Sequence, residues 1–321
     1  MEVVLDAAVK ESPQSKGSDG SIIGRFALLS IANTFIGGMM RYNRCAGAAL
    51  AVVMWLASSV NAADERPIDV IEDNSYLVEE AYNQEAGVVQ NIFTATYVKS
   101  GGTHGWGFTF TQEWPVFSQD HQISYTIPSY HLVDDGSRVS GLGDVLLNYR
   151  YQLLYEGDFQ PAVAPRFSLI FPTGDRKRHN GNNVFGYQLN LPVSKKITDR
   201  IGLNGNVGAT FFPHVKAPAN TDGNSAKKSL TLVNFGGSAI YALFPRFHLM
   251  LEWAGVFDQS FDSVGKRERS FLSILSPGFR TAIVNEDKLQ IVTGAAMPVG
   301  LNRNTPNLGA ILYLSIEHNL F

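Results

Sequence analysis

The chain has 321 residues, is 45% hydrophobic and 17% charged, and carries 30 glycines and a formal net charge of −3. A charged share below the roughly 25% of soluble domains, with no basic excess, speaks against nucleic acid as a partner. The single cysteine, Cys45, excludes a disulfide framework and a thiolate metal site.

In chain order, the first organised feature is a leader. Met39-Met40-Arg41-Tyr42-Asn43-Arg44 is a positively charged start, residues 46–57 are an apolar run, and Val60-Asn61-Ala62 is a small-residue cleavage site. That order defines a secretory signal peptide, and its apolar run is too short for a membrane helix, which needs about 20 residues. The predicted signal peptide spans 39–62 with cleavage after Ala62, and Cys45 leaves with it. Residues 1–38 stand upstream of a complete leader and read as an extension from a start codon placed too early. Cleavage removes the acids Glu2, Asp6, Glu11 and Asp19 and the bases Lys10, Lys16, Arg25, Arg41 and Arg44, which leaves a mildly acidic chain.

Residues 63–85 form an acidic periplasmic segment carrying Asp64, Glu65, Asp69, Glu72, Asp73, Glu79, Glu80 and Glu85. Residues 75–84 predict a short helix capped by Asn74 or Ser75. Two placements are open for the segment: a plug inside a barrel, or a loose periplasmic tail.

From residue 86 onward the apolar period is two, the mark of strands with unlike faces. Phe185, Tyr187, Leu189, Leu191 and Val193 alternate with Gly186, Gln188, Asn190, Pro192 and Ser194. Leu203 and Val207 alternate with Asn204 and Asn206, Leu147 and Tyr149 with Asn148 and Arg150, and Leu249 and Leu251 with Met250 and Glu252. Strands are predicted at 86–98, 105–114, 120–131, 141–154, 161–172, 184–197, 200–212, 229–243, 246–257, 269–282, 287–299 and 308–321. They are longer than the 5–6 residues usual in globular sheets and suit a tilted membrane span of about 9–11 residues.

Connections alternate short and long. The turns at 115–119, 155–160, 198–199, 244–245 and 285–286 are short, whereas 132–140, 173–183, 213–228, 258–267 and 300–307 are longer and polar; the link at 100–104 is short where a long one is expected. Aromatics gather at both strand ends, with Trp114, Phe117, Tyr155, Phe159, Phe244 and Phe247 at one and Trp106, Tyr130, Phe171, Phe185, Phe211 and Phe257 at the other. These are the girdles, short periplasmic turns and long outer loops of an outer-membrane barrel. The predicted fold is all-β, a closed antiparallel transmembrane barrel of about 12 strands spanning 86–321. Closure is required because lipid offers no partner to an open edge.

With the apolar phase toward lipid, charges fall on the inner phase: Glu113, Asp144, Arg150, Arg166, Glu252, Arg280 and Glu317. A cation on the lipid side at mid-wall costs about 2–4 kcal/mol. The inner charges are expected to satisfy one another across the lumen and are the candidate solute contacts. Eight strands give a filled interior and 16–18 a water channel, so twelve predict a narrow or plugged pore.

The clusters Arg176-Lys177-Arg178-His179 and Lys266-Arg267-Glu268-Arg269 suit anionic lipopolysaccharide of the outer leaflet, or are solvated loop charge. At the chain's end Leu312, Leu314, Ile316 and Leu320 share the outward phase and Phe321 falls one residue beyond it. This is an imperfect version of the terminal signal expected for the barrel-assembly machinery.

Chemistry-bearing motifs are absent: no G-x-S-x-G elbow, H-E-x-x-H or P-loop occurs. Gly141-Leu142-Gly143-Asp144 begins a strand and lacks the later glycine of a dinucleotide site. The histidines, His104, His121, His131, His179, His214, His248 and His318, are scattered. Ser260 or Ser263 with His214 is the nearest approach to a hydrolase pair. No catalytic residue, cofactor or metal ligand is predicted.

Several stretches resemble a known family. Tyr76-Leu77-Val78-Glu79-Glu80-Ala81-Tyr82-Asn83-Gln84-Glu85, Phe110-Thr111-Gln112-Glu113-Trp114-Pro115, Gln122-Ile123-Ser124-Tyr125-Thr126-Ile127-Pro128, Gly141-Leu142-Gly143-Asp144 and Phe171-Pro172-Thr173-Gly174-Asp175 are similar to proteins of the MetA pathway of phenol degradation. The resemblance runs from about Tyr76 to the C-terminus. It implies an outer-membrane barrel linked to uptake of aromatic compounds and carries over no binding residue. The expected function is a channel for small, weakly polar or aromatic molecules; the alternatives are a structural or surface-interaction barrel with a closed lumen and, further off, a barrel hydrolase.

Overall fold

The structure is a computed structural model that describes residues 69–320 apart from 101–102, 135–136, 176–179, 220–222, 224 and 287. The leader, the 1–38 extension, the Arg176–His179 cluster and Phe321 lie outside the described residues.

Fifteen strands build one sheet: β1 (Val88–Ser100), β2 (Thr103–Val116), β3 (Ser118–Asp134), β4 (Ser137–Leu142), β5 (Val145–Tyr151), β6 (Ala162–Val163), β7 (Arg166–Phe171), β8 (Gly186–Thr198), β9 (Ile201–Lys216), β10 (Lys227–Phe244), β11 (Phe247–Phe261), β12 (Arg267–Glu286), β13 (Leu289–Ala296), β14 (Val299–Gly300) and β15 (Leu308–Asn319). All pairings are antiparallel, the sheet runs β1-β2-β3-β5-β7-β8-β9-β10-β11-β12-β13-β15 with β4 on β3, β6 on β8 and β14 on β12 and β15, and β15 returns to β1. Three pairs, β4 with β5, β6 with β7 and β13 with β14, are single staves broken at Gly143-Asp144, Ala164-Pro165 and Met297-Pro298. The result is a closed barrel of 12 antiparallel staves.

The breaks have local causes. Proline cannot donate to a ladder, which ends pairing at Pro165 and Pro298. The carbonyls there stay bonded, Pro165 accepting from the Tyr151 amide at 3.0 Å and Pro298 from the Gly309 amide at 2.8 Å. Gly143 is pinned beneath the Tyr130 ring, and its amide donates to the Pro128 carbonyl at 2.8 Å. The wall thus keeps its backbone groups bonded where the strands falter, as lipid requires.

The faces follow the predicted phase. Phe185, Leu189, Leu203 and Leu251 are exposed outward, and Asn190, Asn204 and Glu252 are buried inward. Several details differ from the sequence reading. Strands such as β12 (20 residues) and β10 (18 residues) outrun the hydrocarbon, and most of the expected 132–140 link is strand, since β3 reaches Asp134 and β4 starts at Ser137. Tyr130 is turned inward over Gly143 and is not part of an outer girdle. The inner face is also less polar than expected. Leu146, Ile170, Phe212, Val215 and Leu230 form a buried apolar cluster beside the outer loops.

The 75–84 helix does not form; residues 69–87 contain only bends and turns. Their amides find the inner wall in place of carbonyls four residues back, and a helix has no means of offering successive N–H groups to side chains on different staves.

A lipid-facing cation tests the phase. Leu189→Arg should destabilise the barrel by about 2–4 kcal/mol if it lies at the midplane, and less toward either interface, read from urea unfolding in vesicles.

Candidate functional site in the plugged lumen

The short turns mark the periplasmic end, and residues 69–87 both enter and leave there. Asp69 and Glu72 meet Lys196 at 3.2 and 3.0 Å, while the Glu85 carbonyl accepts from the Val88 amide at the start of β1. Between these points the segment rises into the barrel, and its polar groups bond to inward side chains around the wall.

The deepest contacts involve Glu252 of β11. Its carboxylate accepts the amides of Tyr76 (3.3 Å), Leu77 (2.8 Å) and Val78 (3.1 Å). Three convergent N–H groups form a nest for an anion, so this fully buried carboxylate has hydrogen-bond partners without a cation. On other staves the Ala81 amide donates to Ser194 (2.8 Å), the Asn83 amide to Gln152 (3.0 Å) and the Gln84 amide to Gln122 (2.8 Å).

Arginines of the wall bind the same segment. Arg150 donates to Asn83 (2.7 Å), to the carbonyls of Glu80 (3.3 Å) and Tyr82 (2.5 Å), and to Glu79 (3.4 Å). Arg166 holds Glu79 through Nε at 2.9 Å, and Arg280 holds Glu80 at 2.9 Å and the Ile71 carbonyl. Asn190 adds a bond to Glu79 at 2.7 Å. Guanidinium forks suit such sites because five donors address carboxylate and carbonyl oxygens together.

Apolar seats complete the fit. Val70, Ile71 and Tyr76 pack with Ile92, Ile240, Met250, Val292 and Ile311 of the wall. Bulky plug residues rest on wall glycines: a Cβ on Gly202 would stand 3.2 Å from Val70 and one on Gly236 3.1 Å from Val78, while Tyr76 fills the space above Gly294.

The seven inner charges separate into three groups. Glu113, Arg150, Arg166, Glu252 and Arg280 come together around the segment. Glu113 accepts from Gln122 at 2.7 Å and lies 3.8 Å from Arg150. Glu317 lies at the periplasmic mouth beside the foot of the segment. Asp144 sits toward the outer loops, where it accepts the amides of Gly174 and Asn182, both at 2.9 Å, and pins the 173–183 loop. The expected ladder across the lumen is therefore corrected: the arginines pair chiefly with Glu79 and Glu80 of the segment. The sequence reading missed the neutral partners Gln90, Gln122, Gln152, Ser194 and Tyr313, although each lies on the inner phase. No hydrogen bond joins Ser260 or Ser263 to His214 among the described residues.

At the periplasmic turn Glu156 latches the exit of the segment, accepting from Tyr82 at 2.7 Å, Lys195 at 2.9 Å and the Lys196 amide at 2.7 Å. Burial alone would raise its pKa; the bonds from Lys195, Tyr82 and the Lys196 amide outweigh that and hold the carboxyl below its ordinary value.

A barrel with a lipid-facing apolar exterior and a polar segment in its lumen is an outer-membrane β-barrel. Residues 74–214, the plug and the first seven staves, match the family described as putative MetA-pathway of phenol degradation. An outer membrane channel from Pseudomonas putida F1 superposes with a TM-score of 0.55 at 12% identity, covering 74% of this chain and 97% of that one. The NanC porin (TM-score 0.45, 11% identity, 72% and 100% covered) and the translocator domain of NalP from Neisseria meningitidis (0.46, 10%, 74% and 90%) superpose less closely. No curated protein matches the sequence.

Two outcomes test the docked segment. Glu252→Ala orphans three amides at about 1–3 kcal/mol for each left unsatisfied, and should expose residues 76–80 to a glutamate-specific protease while the barrel stays folded. A lowered carboxylate contributes anchoring at neutral pH and loses it as pH falls through its depressed value. Hydrogen exchange at residues 81–84, corrected for intrinsic rate, should therefore quicken in acid. Glu156→Gln should already exchange faster at neutral pH and show a flatter acid transition.

Proposed function

We propose that the protein is an outer-membrane channel for small, weakly polar or aromatic molecules, with residues 69–87 as a displaceable obstruction. The observation that carries this reading is the manner of closure. The wall's own side chains do not fill the centre; a peptide segment does, and much of its attachment is hydrogen bonds and ion pairs. Where water can replace it, a neutral hydrogen bond contributes only about 0.5–1.5 kcal/mol net and one to a charged group about 1.5–3 kcal/mol. A purely structural barrel has no need of a removable centre.

The solute class follows from the lining and from the family description. Arg150, Arg166, Glu113 and Glu252 form a polar ring, and the apolar cluster of Leu146, Ile170, Phe212 and Leu230 stands beyond it toward the outer loops. A solute that is partly apolar suits both surroundings. The phenol-degradation description of the matching family supports the aromatic end of that class.

Export through the 39–62 leader belongs to the same reading. So does an anionic outer-leaflet partner: Lys216, Lys227, Lys228, Lys266, Arg267 and Arg269 crowd adjoining strand ends at the outer rim, with the acids Asp262 and Glu268 among them. Lipopolysaccharide phosphates suit that patch.

Planar-bilayer recordings and uptake of a labelled phenol by a deletion strain test the proposal. Removal of residues 69–84 should raise single-channel conductance several-fold, and the deletion strain should take up phenol more slowly than the complemented strain. A lumen that stays sealed after the removal, with unchanged uptake, favours a closed structural barrel.

A further inference from the structure

The interior carries more negative charge than its arginines neutralise. Asp73, Glu79, Glu80, Glu113, Glu252 and Glu317 face Arg150, Arg166 and Arg280. Glu79 is held by Arg166 and Arg150, Glu80 by Arg280, and Glu113 lies 3.8 Å from Arg150. Glu252 is satisfied by three amides. Two carboxylates remain, Asp73 of the segment and Glu317 of β15, and neither forms an ion pair among the described residues.

They converge on one place. Both line the vestibule of about 550 Å³ at the periplasmic mouth, together with Gln290 of β13. Gln290 and Gln90 are the cross-strand partners of Glu317 on its two sides, and Gln90 donates to Asp73 Oδ1 at 2.6 Å. Tyr313 also donates to that oxygen, at 2.8 Å. The second oxygen, Asp73 Oδ2, is buried without a hydrogen-bond partner, and so are Glu317 Oε1 and Gln290 Oε1. Asp73 is 5% exposed. Three orphaned acceptors beside one polar cavity, two of them carboxylate, make a site that lacks its positive charge. The lysines at the mouth do not supply it: Lys196 is taken by Asp69 and Glu72, and Lys288 is exposed and forms no ion pair with either acid.

We propose that Asp73, Glu317 and Gln290 form a cation site that ties the foot of the plug to the barrel wall, and that Ca²⁺ is the ion it takes. Buried polar groups without partners cost free energy, and a bound ion is one way to satisfy them. The donors are all oxygen, from two carboxylates and an amide, so the class is a hard cation. Ca²⁺ accepts carboxylate and amide oxygens in irregular geometry and completes its shell with water, whereas Mg²⁺ demands a near-ideal octahedron. A vestibule open to the periplasm can supply the water. With few protein ligands the affinity belongs to the weak extracellular range, about 10⁻⁴–10⁻³ M. The inference rests on the docked segment and is independent of the transport reading.

Calcium titration by calorimetry into the folded chain in detergent, at neutral pH and free of chelator, tests it. One saturable site is expected, weakened about tenfold or more by Asp73→Asn and by Glu317→Gln, and unchanged by Glu72→Gln at the exposed mouth. Heat-modifiable migration on gels verifies that each variant is a folded barrel. Calcium should also slow hydrogen exchange at residues 73–75 in the unaltered chain and not in Glu317→Gln. Absence of saturable calcium binding overturns the proposal, and so does equal weakening by Glu72→Gln, which would mark diffuse attraction. An infrared band of a protonated carboxyl at neutral pH, lost in Glu317→Gln, would assign the missing positive charge to a proton and overturn it likewise.

Discussion

Hydrocarbon gives a peptide group nothing to bond to, and the structure is organised by that condition. Twelve register pairs between β1 and β15, from Val88↔Asn319 to Lys99↔Leu308, join the two ends of the sheet and leave no open edge. Where proline or a crowded glycine interrupts a stave, the neighbouring carbonyl still receives a donor. Once the wall is closed, the two-residue period divides its side chains, most regularly along β8. Leu189 faces lipid because Asn190 cannot, since a buried or lipid-exposed amide without partners costs more than an exposed one in water.

The same condition then acts inside the wall. Twelve staves enclose more room than their inward side chains fill, and Arg280 and Glu252 are fully buried there. Such groups are costly to desolvate singly; breaking a buried pair by removing one partner costs about 3–5 kcal/mol. The segment 69–87 serves as their partner. It brings Glu79 to Arg166, Glu80 to Arg280, and a run of bare amides to Glu252. Its extended, helix-free path follows from that duty, because only an irregular backbone can address staves on opposite sides of a lumen. Wall glycines at 202, 236 and 294 have their counterpart in Val70, Val78 and Tyr76.

Much of the wall was legible in the sequence. Alternation located twelve staves and gave the faces of Phe185, Leu189, Leu203 and Leu251, because a strand's period is a local property; Phe247, read as a girdle aromatic, is instead fully buried. Tyr130 escaped the pattern: an aromatic near a strand end looks the same whether it joins a girdle or caps a glycine such as Gly143. The 132–140 stretch read as a loop from its Asp, Gly and Ser content, yet β3 runs on to Asp134 and β4 starts at Ser137, beyond the hydrocarbon, where polar residues cost nothing. The plug was harder. Residues 75–84 carry helix-forming residues and a plausible cap, and local propensity has no knowledge of Glu252, more than 170 positions away, competing for the same amides. The inner charges were identified, but their partners were not. Arg150, Arg166 and Arg280 alternate in phase with Glu113 and Glu252, which suggests a ladder across the lumen. Only the three-dimensional path of the segment shows that Glu79 and Glu80 reach them first.

The composition of the plug also bears on how it could leave. Had the lumen been sealed by wall leucines, opening would require repacking the barrel, whose staves are locked by register. A separate strand of peptide, entering and leaving at one end, can withdraw without breaking a single wall pair. Its polar attachments exchange for water with small net loss, whereas the seats of Val70 and Ile71 near the mouth oppose withdrawal through apolar burial, at about 25 cal/mol per Å². The balance therefore lies at the foot of the segment, among those apolar contacts, the Glu156 latch and the carboxylates Asp73 and Glu317. The middle of the plug supplies complementarity to the arginines; the foot determines whether it stays. A regulator of this barrel, whatever its chemistry, has most leverage at the periplasmic mouth, where the segment's attachments meet water.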